Sequence, residues 1–169
     1  MTGSAPLIVT ALFGAADFAW LEGLRRAHFP PERNLVPAHC TLFHHLAPEL
    51  GAELKQRLNA ATRGVAKPAA QIAGVLDLGG GVALRIESEQ LEAIRAELAD
   101  AFAPMLVPQD RAGWRAHVTV QNKVARPQAK QLLEELRAGF ARRPLQIVGL
   151  ASWWYRGGPW EAHSRHMFA

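Results

Sequence analysis

The chain has 169 residues, 49% of them apolar, and a formal net charge of +4. That length and apolar content support one domain or two small intimate lobes and exclude global disorder. Its single cysteine excludes an internal disulfide, so a reducing, cytoplasmic setting is expected. The mild basicity suits an anionic ligand such as a nucleotide or an RNA end without requiring one.

Residues 1–20 contain an apolar run with no basic segment ahead of it, and Asp17 follows soon after. No signal peptide is expected. No apolar run approaches the roughly 20 residues of a membrane-spanning helix, so no membrane partner is expected.

Residues 6–13 (PLIVTALF) form a short, apolar, partly β-branched run that reads as a buried strand. Residues 16–29 carry Phe18, Leu21 and Leu24 at helical spacing. Arg25 and Arg26 stand late in that segment, where cations suit the helix dipole. The prolines of residues 29–37 make a loop. Residues 38–45 read as a strand, and Pro48 opens a helix with Leu50, Leu54 and Leu58 on one stripe. Residues 71–78 read as the next strand, and the three glycines at 79–81 as a tight turn.

The order then repeats. Residues 82–87 read as a strand. Ser88 is placed to cap a helix with Leu91, Ile94, Leu98 and Phe102 on one face. Residues 103–114 read as a loop and 116–121 as a strand. Pro127 opens a helix with a stripe of Leu132, Leu136 and Phe140. Residues 145–155 read as a long strand, 157–159 as a turn and 160–168 as a short last strand. The expected fold is α+β: two similar lobes, each an antiparallel sheet with two helices, facing one another across a central cleft. The approximate repeats are 5–79 and 80–155, with the last strand added, in one unit over 1–169.

Corresponding strands of the two repeats read His39-Cys40-Thr41-Leu42 and His117-Val118-Thr119-Val120. Residues i and i+2 of a strand share a face, so each strand presents a histidine with a threonine. A pseudo-twofold would bring both pairs to one groove. There, one neutral imidazole takes a proton from an attacking hydroxyl or water, and the other, protonated, gives one to a leaving oxygen. Threonine hydroxyls donate to phosphate oxygens as charge builds on them.

The paired His-x-Thr-apolar motifs, their separation of 78 positions, the strand–helix duplication and the length resemble the 2H phosphoesterase superfamily, in particular its 2'-5' RNA ligase-like bacterial branch. The resemblance spans nearly the whole chain. It implies a bilobal α+β fold and metal-independent chemistry, without a cofactor, on 2',3'-cyclic phosphates, 2'-5' phosphodiester bonds or related cyclic nucleotides. By motif position it implies His39, Thr41, His117 and Thr119 as the catalytic set. An RNA terminus or small nucleotide is the expected partner, and a monomer the expected state. Two other readings stand beside this one: a non-catalytic module holding an RNA end or nucleotide in the same cleft, and a structural protein whose repeated motif is accidental.

Continued alternation places Phe43 and His45 on the His39 face. It places Arg115, Gln121 and Lys123 on the His117 face, provided that strand stays regular. Phe43 reads as a base-stacking ring or as a wall or core aromatic. Arg115 and Lys123 read as phosphate ligands or as solvated charges, and Gln121 as a reader of a base edge or a ladder cap. Trp153 and Tyr155 share one face of their strand and Trp154 takes the other. Trp153 and Tyr155 therefore stand as a candidate base platform, with core packing the competing reading. Trp114 is a candidate for the groove rim. His44 points away from His39 on this alternation, and no Cys/His/Asp cluster has ligand spacing, so no metal site is expected. Cys40 faces the packing side as a small apolar residue. His28, His163 and His166 lack a threonine partner and read as surface or packing residues. The glycines at 79–81 lack a following Lys-Ser/Thr and are no phosphate loop.

Overall fold

A computed structural model describes residues 5–169; residues 1–4 of the expected unit lie outside the described residues. The elements in chain order are β1 (Leu7–Phe13), α1 (Ala15–His28), β2 (Cys40–Leu46), α2 (Gly51–Thr62), β3 (Gln71–Asp77), β4 (Val82–Glu87), α3 (Glu89–Phe102), α4 (Pro108–Arg111), β5 (His117–Gln121), α5 (Arg126–Ala138), β6 (Arg143–Pro144), β7 (Ile147–Trp154) and β8 (Glu161–Met167). Two four-stranded antiparallel sheets result, ordered β2-β1-β7-β8 and β5-β4-β3-β6. The expected α+β architecture is therefore the observed one. The single helical turn α4 lies inside the stretch read as a loop, and the two-residue strand β6 precedes β7 as an edge strand, where Pro144 is tolerated.

Both repeats run strand–helix–strand–helix–strand, but the third strand of each pairs outside its own repeat. β3 pairs with β4, and β7 pairs with β1. The first exchange follows from a two-residue hairpin loop, Gly79-Gly80. Gly79 has φ +81°, and Leu78 N–H donates to the Gly81 carbonyl at 2.9 Å. A loop that short makes β4 a neighbour of β3, and β6 pairs on its other edge. The open edge of β1 is then filled by β7, whose apolar run (IVGLASWW) matches that of β1 residue for residue from Leu7↔Trp154 to Leu12↔Gly149.

α2 packs on β7 and β8, and α5 on β3 and β4, which covers one face of each sheet. The stripe residues Leu54, Leu58 and Leu132 are buried there. Ser88 Oγ caps α3 by accepting from Leu91 N at 3.2 Å. α1 packs against β5, in the sheet its own β1 does not join, and β2 contacts β5. The two motif strands thus meet at the seam between the sheets.

Candidate active site

His39 immediately precedes β2 and His117 opens β5. A cavity of about 150 Å³ is lined by Ile8, His39, Thr41, His44, His117, Thr119 and Trp160. Both His-Thr pairs therefore share one cavity, with one pair from each sheet. The two imidazoles are held alike: Nδ1 of His39 donates to the Pro37 carbonyl at 2.8 Å, and Nδ1 of His117 to the Arg115 carbonyl at 2.7 Å. A carbonyl only accepts, so Nδ1 carries the proton and Nε2 of each neutral ring is left as a base.

The protonation of His39 is set by its surroundings. The ring is half-buried, with the Trp160 ring edge-on at 4.6 Å between centroids. Burial pushes its pKa down to about 4; the Pro37 carbonyl opposes the shift, and the positive fields of Arg25, His117 and His44 add to it. His39 is thus neutral at pH 7.

A β-bulge sits at the same place in both motifs. In β2, Thr41 pairs with Thr10 but Phe43 with Val9, so Leu42 is the extra residue. In β5, Thr119 pairs with Ala83 but Gln121 with Val82, so Val120 is extra. Alternation reverses beyond each bulge, and this corrects several sequence expectations. Phe43 does not face the site: it is fully buried, with the Arg95 guanidinium 4.2 Å from its ring. His44, expected to point away, lines the cavity instead. Gln121 also turns inward, 2% exposed, and its Oε1 is buried without a partner. Lys123 sits past the strand end at φ +62° with its side chain exposed. Arg115 is exposed and lines neither this cavity nor the larger one described below; its contribution is its carbonyl. His45 is exposed, and its backbone N–H donates to Asp110.

Each bulge frees a carbonyl, and a buried arginine from the first helix of the other repeat takes it. Arg95 on α3 donates Nε to the Leu42 carbonyl at 2.9 Å and Nη2 to the Asp110 carbonyl at 2.7 Å. Arg25 on α1 donates Nη1 to the Thr119 carbonyl at 2.8 Å and Nε to Asn34. Burial lowers the pKa of both guanidiniums, partly offset by Asp110 near Arg95 and Glu22 near Arg25. Trp114, expected at the rim, donates Nε1 to the Thr41 carbonyl at 2.9 Å and packs on the core. Arg95 escaped the sequence reading and Arg25 was read only as a helix-end cation, although a signal was present. Each sits four residues after a buried leucine, Leu21 or Leu91, on the apolar stripe where a cation is otherwise costly.

A second cavity, about 820 Å³, adjoins the first and shares His39 and Trp160 with it. Its walls include Phe13, Phe18, Trp153 and Phe168, with Lys67 and Arg165 as its cations. Trp153 donates Nε1 to Thr10 Oγ1 at 2.9 Å and lies 6.4 Å from the Trp160 ring. Tyr155 is 44% exposed and lines neither cavity. Trp160 was not singled out in the sequence, because the turn that precedes it hides its register. Trp154 packs edge-on against His163, and His166 bonds Asn59, so both histidines are packing residues.

Cys40 is fully buried, and burial pushes its thiol up to about 12. It is no nucleophile. Native protein at pH 8 should resist iodoacetamide and react only on unfolding, as read by mass spectrometry; rapid native labelling would contradict the placement. Among the described residues no three His, Cys, Asp or Glu side chains are grouped to hold a metal ion, and no helix is long and apolar enough to cross a membrane.

Paired His-x-Thr strands, one from each sheet, meet at one cavity, and the exchange of third strands between the two repeats was not part of the sequence expectation. A family model described as the 2'-5' RNA ligase superfamily matches residues 14–159, and the chain belongs to that superfamily. Solved structures share the fold. Escherichia coli LigT complexed with 3'-AMP superposes with a TM-score of 0.63 at 15% identity, covering 98% of each chain. TT0787 of Thermus thermophilus gives 0.59 at 15% identity, covering 96% of this chain and 97% of its own. A protein described as a phosphoesterase gives 0.58 at 16% identity, covering 98% and 99%. A search of curated proteins finds no match. Membership of the superfamily supports an enzyme of the 2H phosphoesterase kind.

Proposed function

We propose that the protein is a metal-independent phosphoesterase. Its substrates would be 2',3'-cyclic phosphate RNA ends, 2'-5' phosphodiester bonds or small cyclic nucleotides, turned over by paired histidine acid–base catalysis. The observation that carries this reading is the single cavity lined by His39, Thr41, His117 and Thr119, with both Nδ1 atoms tied to carbonyls. In hydrolysis of a cyclic phosphate, water attacks phosphorus as His39 Nε2 takes its proton. The bond from phosphorus to one ribose oxygen breaks, and His117 gives that oxygen a proton. The product is a phosphomonoester, and the two histidines have exchanged protonation states. The neutrality of His39 at pH 7 favours this assignment of roles over its reverse. Thr41 and Thr119 hydroxyls donate to the non-bridging oxygens. Ligation is the same chemistry with an RNA hydroxyl in place of water.

The larger cavity supports a nucleoside on the far side of His39, with Trp153 and Trp160 as stacking surfaces. That LigT was solved with 3'-AMP agrees with a ligand of this class. One chain supplies both motifs, so a monomer suffices. With EDTA present, the purified protein should convert a 2',3'-cyclic nucleotide, or a 2'-5' dinucleotide, to products resolved by chromatography. Activity that EDTA removes would sink the mechanism. RNA binding with no turnover of any of these substrates would establish the binding-module reading instead.

A further inference from the structure

The small cavity contains a third histidine that the paired motif does not account for. The bulge at Leu42 turns His44 toward it, beside His39, Thr41, His117 and Thr119. Its anchor differs in kind from those of the other two. Nδ1 of His39 and of His117 meets a neutral carbonyl, whereas Nδ1 of His44 lies 3.2 Å from Oδ1 of Asp110.

Asp110 is a built feature. It is 1% exposed, on the single turn α4, which packs against β2. Its carboxylate also accepts from the backbone N–H groups of His44 (2.8 Å) and His45 (2.9 Å). Burial alone would raise its pKa, but these bonds outweigh burial and hold the carboxyl below its usual range, so it is ionised. A buried carboxylate is costly without a partner. The His44 ring is within reach of it at 3.2 Å, and the Arg95 guanidinium lies near it as well.

The charge balance of the cavity shows what a ring placed there does. Its lining holds no lysine or arginine. His39 acts as a neutral base, and His117 surrenders its proton during the step. A phosphodiester anion, and the greater negative charge of the transition state, thus meet no lysine or arginine in this lining, and His44 is the histidine left to hold them. We infer that His44, oriented through Nδ1 by Asp110, is a third catalytic histidine that holds a non-bridging phosphate oxygen through Nε2–H without transferring a proton. The inference rests on the phosphoesterase reading above and assigns a further residue to the same site.

Two measurements test it. The first compares wild type and His44→Gln on a 2',3'-cyclic nucleotide. Loss of one preorganised donor to a developing oxyanion costs about 10²–10³-fold in enclosed sites. The His44 side chain is 40% exposed, so a fall of about 10–100-fold in kcat/KM is expected, mostly in kcat, with the thermal melt unchanged. His44→Lys, which places a cation there, should recover part of the loss. The second measurement needs no turnover: inorganic phosphate is titrated into wild-type protein and the histidine ring nitrogens are followed by NMR. The His44 signals should move with phosphate, and Asp110→Asn should weaken that response; if this variant fails to fold, His44→Gln should still bind phosphate more weakly. Wild-type inactivity on every phosphodiester, with the phosphate response intact, would discard the phosphoesterase reading and leave His44 as an anion ligand. A His44→Gln enzyme within twofold of wild type, or ring signals indifferent to phosphate, would overturn the inference.

Discussion

His39→Ala and His117→Ala are each expected to lower kcat/KM on a 2',3'-cyclic nucleotide by about 10²–10⁴-fold, the usual worth of one positioned proton transfer. Their pH profiles should differ. In wild type the acid limb reports the base of the free enzyme. His39 carries a pKa of about 4, so kcat/KM should rise through that region and be flat well below pH 6. His39→Ala should erase the acid limb, whereas His117→Ala should keep it. Loss of the acid limb in His117→Ala, with its retention in His39→Ala, would reverse the assignment. Full activity in either variant would end the paired mechanism. The same shift carries a stability consequence of fixed sign. The unfolded chain takes up this proton near 6.5 and the folded protein only near 4. His39 therefore weakens the fold as pH falls through that window, and the penalty levels off below it. Urea titrations at pH 7 and pH 4 should show a smaller acid loss in His39→Ala than in wild type.

Arg95→Met is expected to destabilise the protein by about 2–4 kcal/mol, because two acceptors lose their donor and each buried orphan costs about 1–3 kcal/mol. Methionine retains much of the apolar stem and removes a buried charge, which offsets part of the loss. The orphaned carbonyls prevail because the bulge at Leu42 has no ladder partner to offer in exchange. The midpoint of urea unfolding should fall without a change of slope. Activity should fall beyond what the folded fraction explains, since Leu42 lies between Thr41 and the His44 that turns into the cavity. Arg25→Met removes one bulge carbonyl's donor and a side-chain partner, so its cost should be smaller. An unchanged midpoint in Arg95→Met would mean that water replaces the guanidinium at Leu42.

Much of this protein is written in short-range patterns. Ser88 caps the helix it was expected to cap, and the glycines at 79–81 form the tight turn read there, although it joins two paired strands rather than two lobes. His39 with Thr41, and His117 with Thr119, share a cavity as two-residue alternation required. Trp153 reaches a cavity wall, whereas Tyr155, on the same nominal face, does not. Alternation describes a face only while the ladder is regular, and it ceased to describe Phe43, His44, Gln121 and Lys123 at the two bulges.

The sequence by itself determined the α+β class, the duplication and the four residues of the paired motif, because helical stripes, strand alternation and turn residues are local properties of the chain. Only the tertiary structure decided that the third strand of each repeat crosses to the other sheet. It alone set Arg25 and Arg95 against the opposite motif's freed carbonyl, brought Trp160 onto His39 and turned His44 toward both motifs. A bulge is a mismatch between two paired strands, and a buried arginine is tolerated only where distant carbonyls wait for it. Neither partner of such a match carries the information alone, so these features exist only once the strands have found their register.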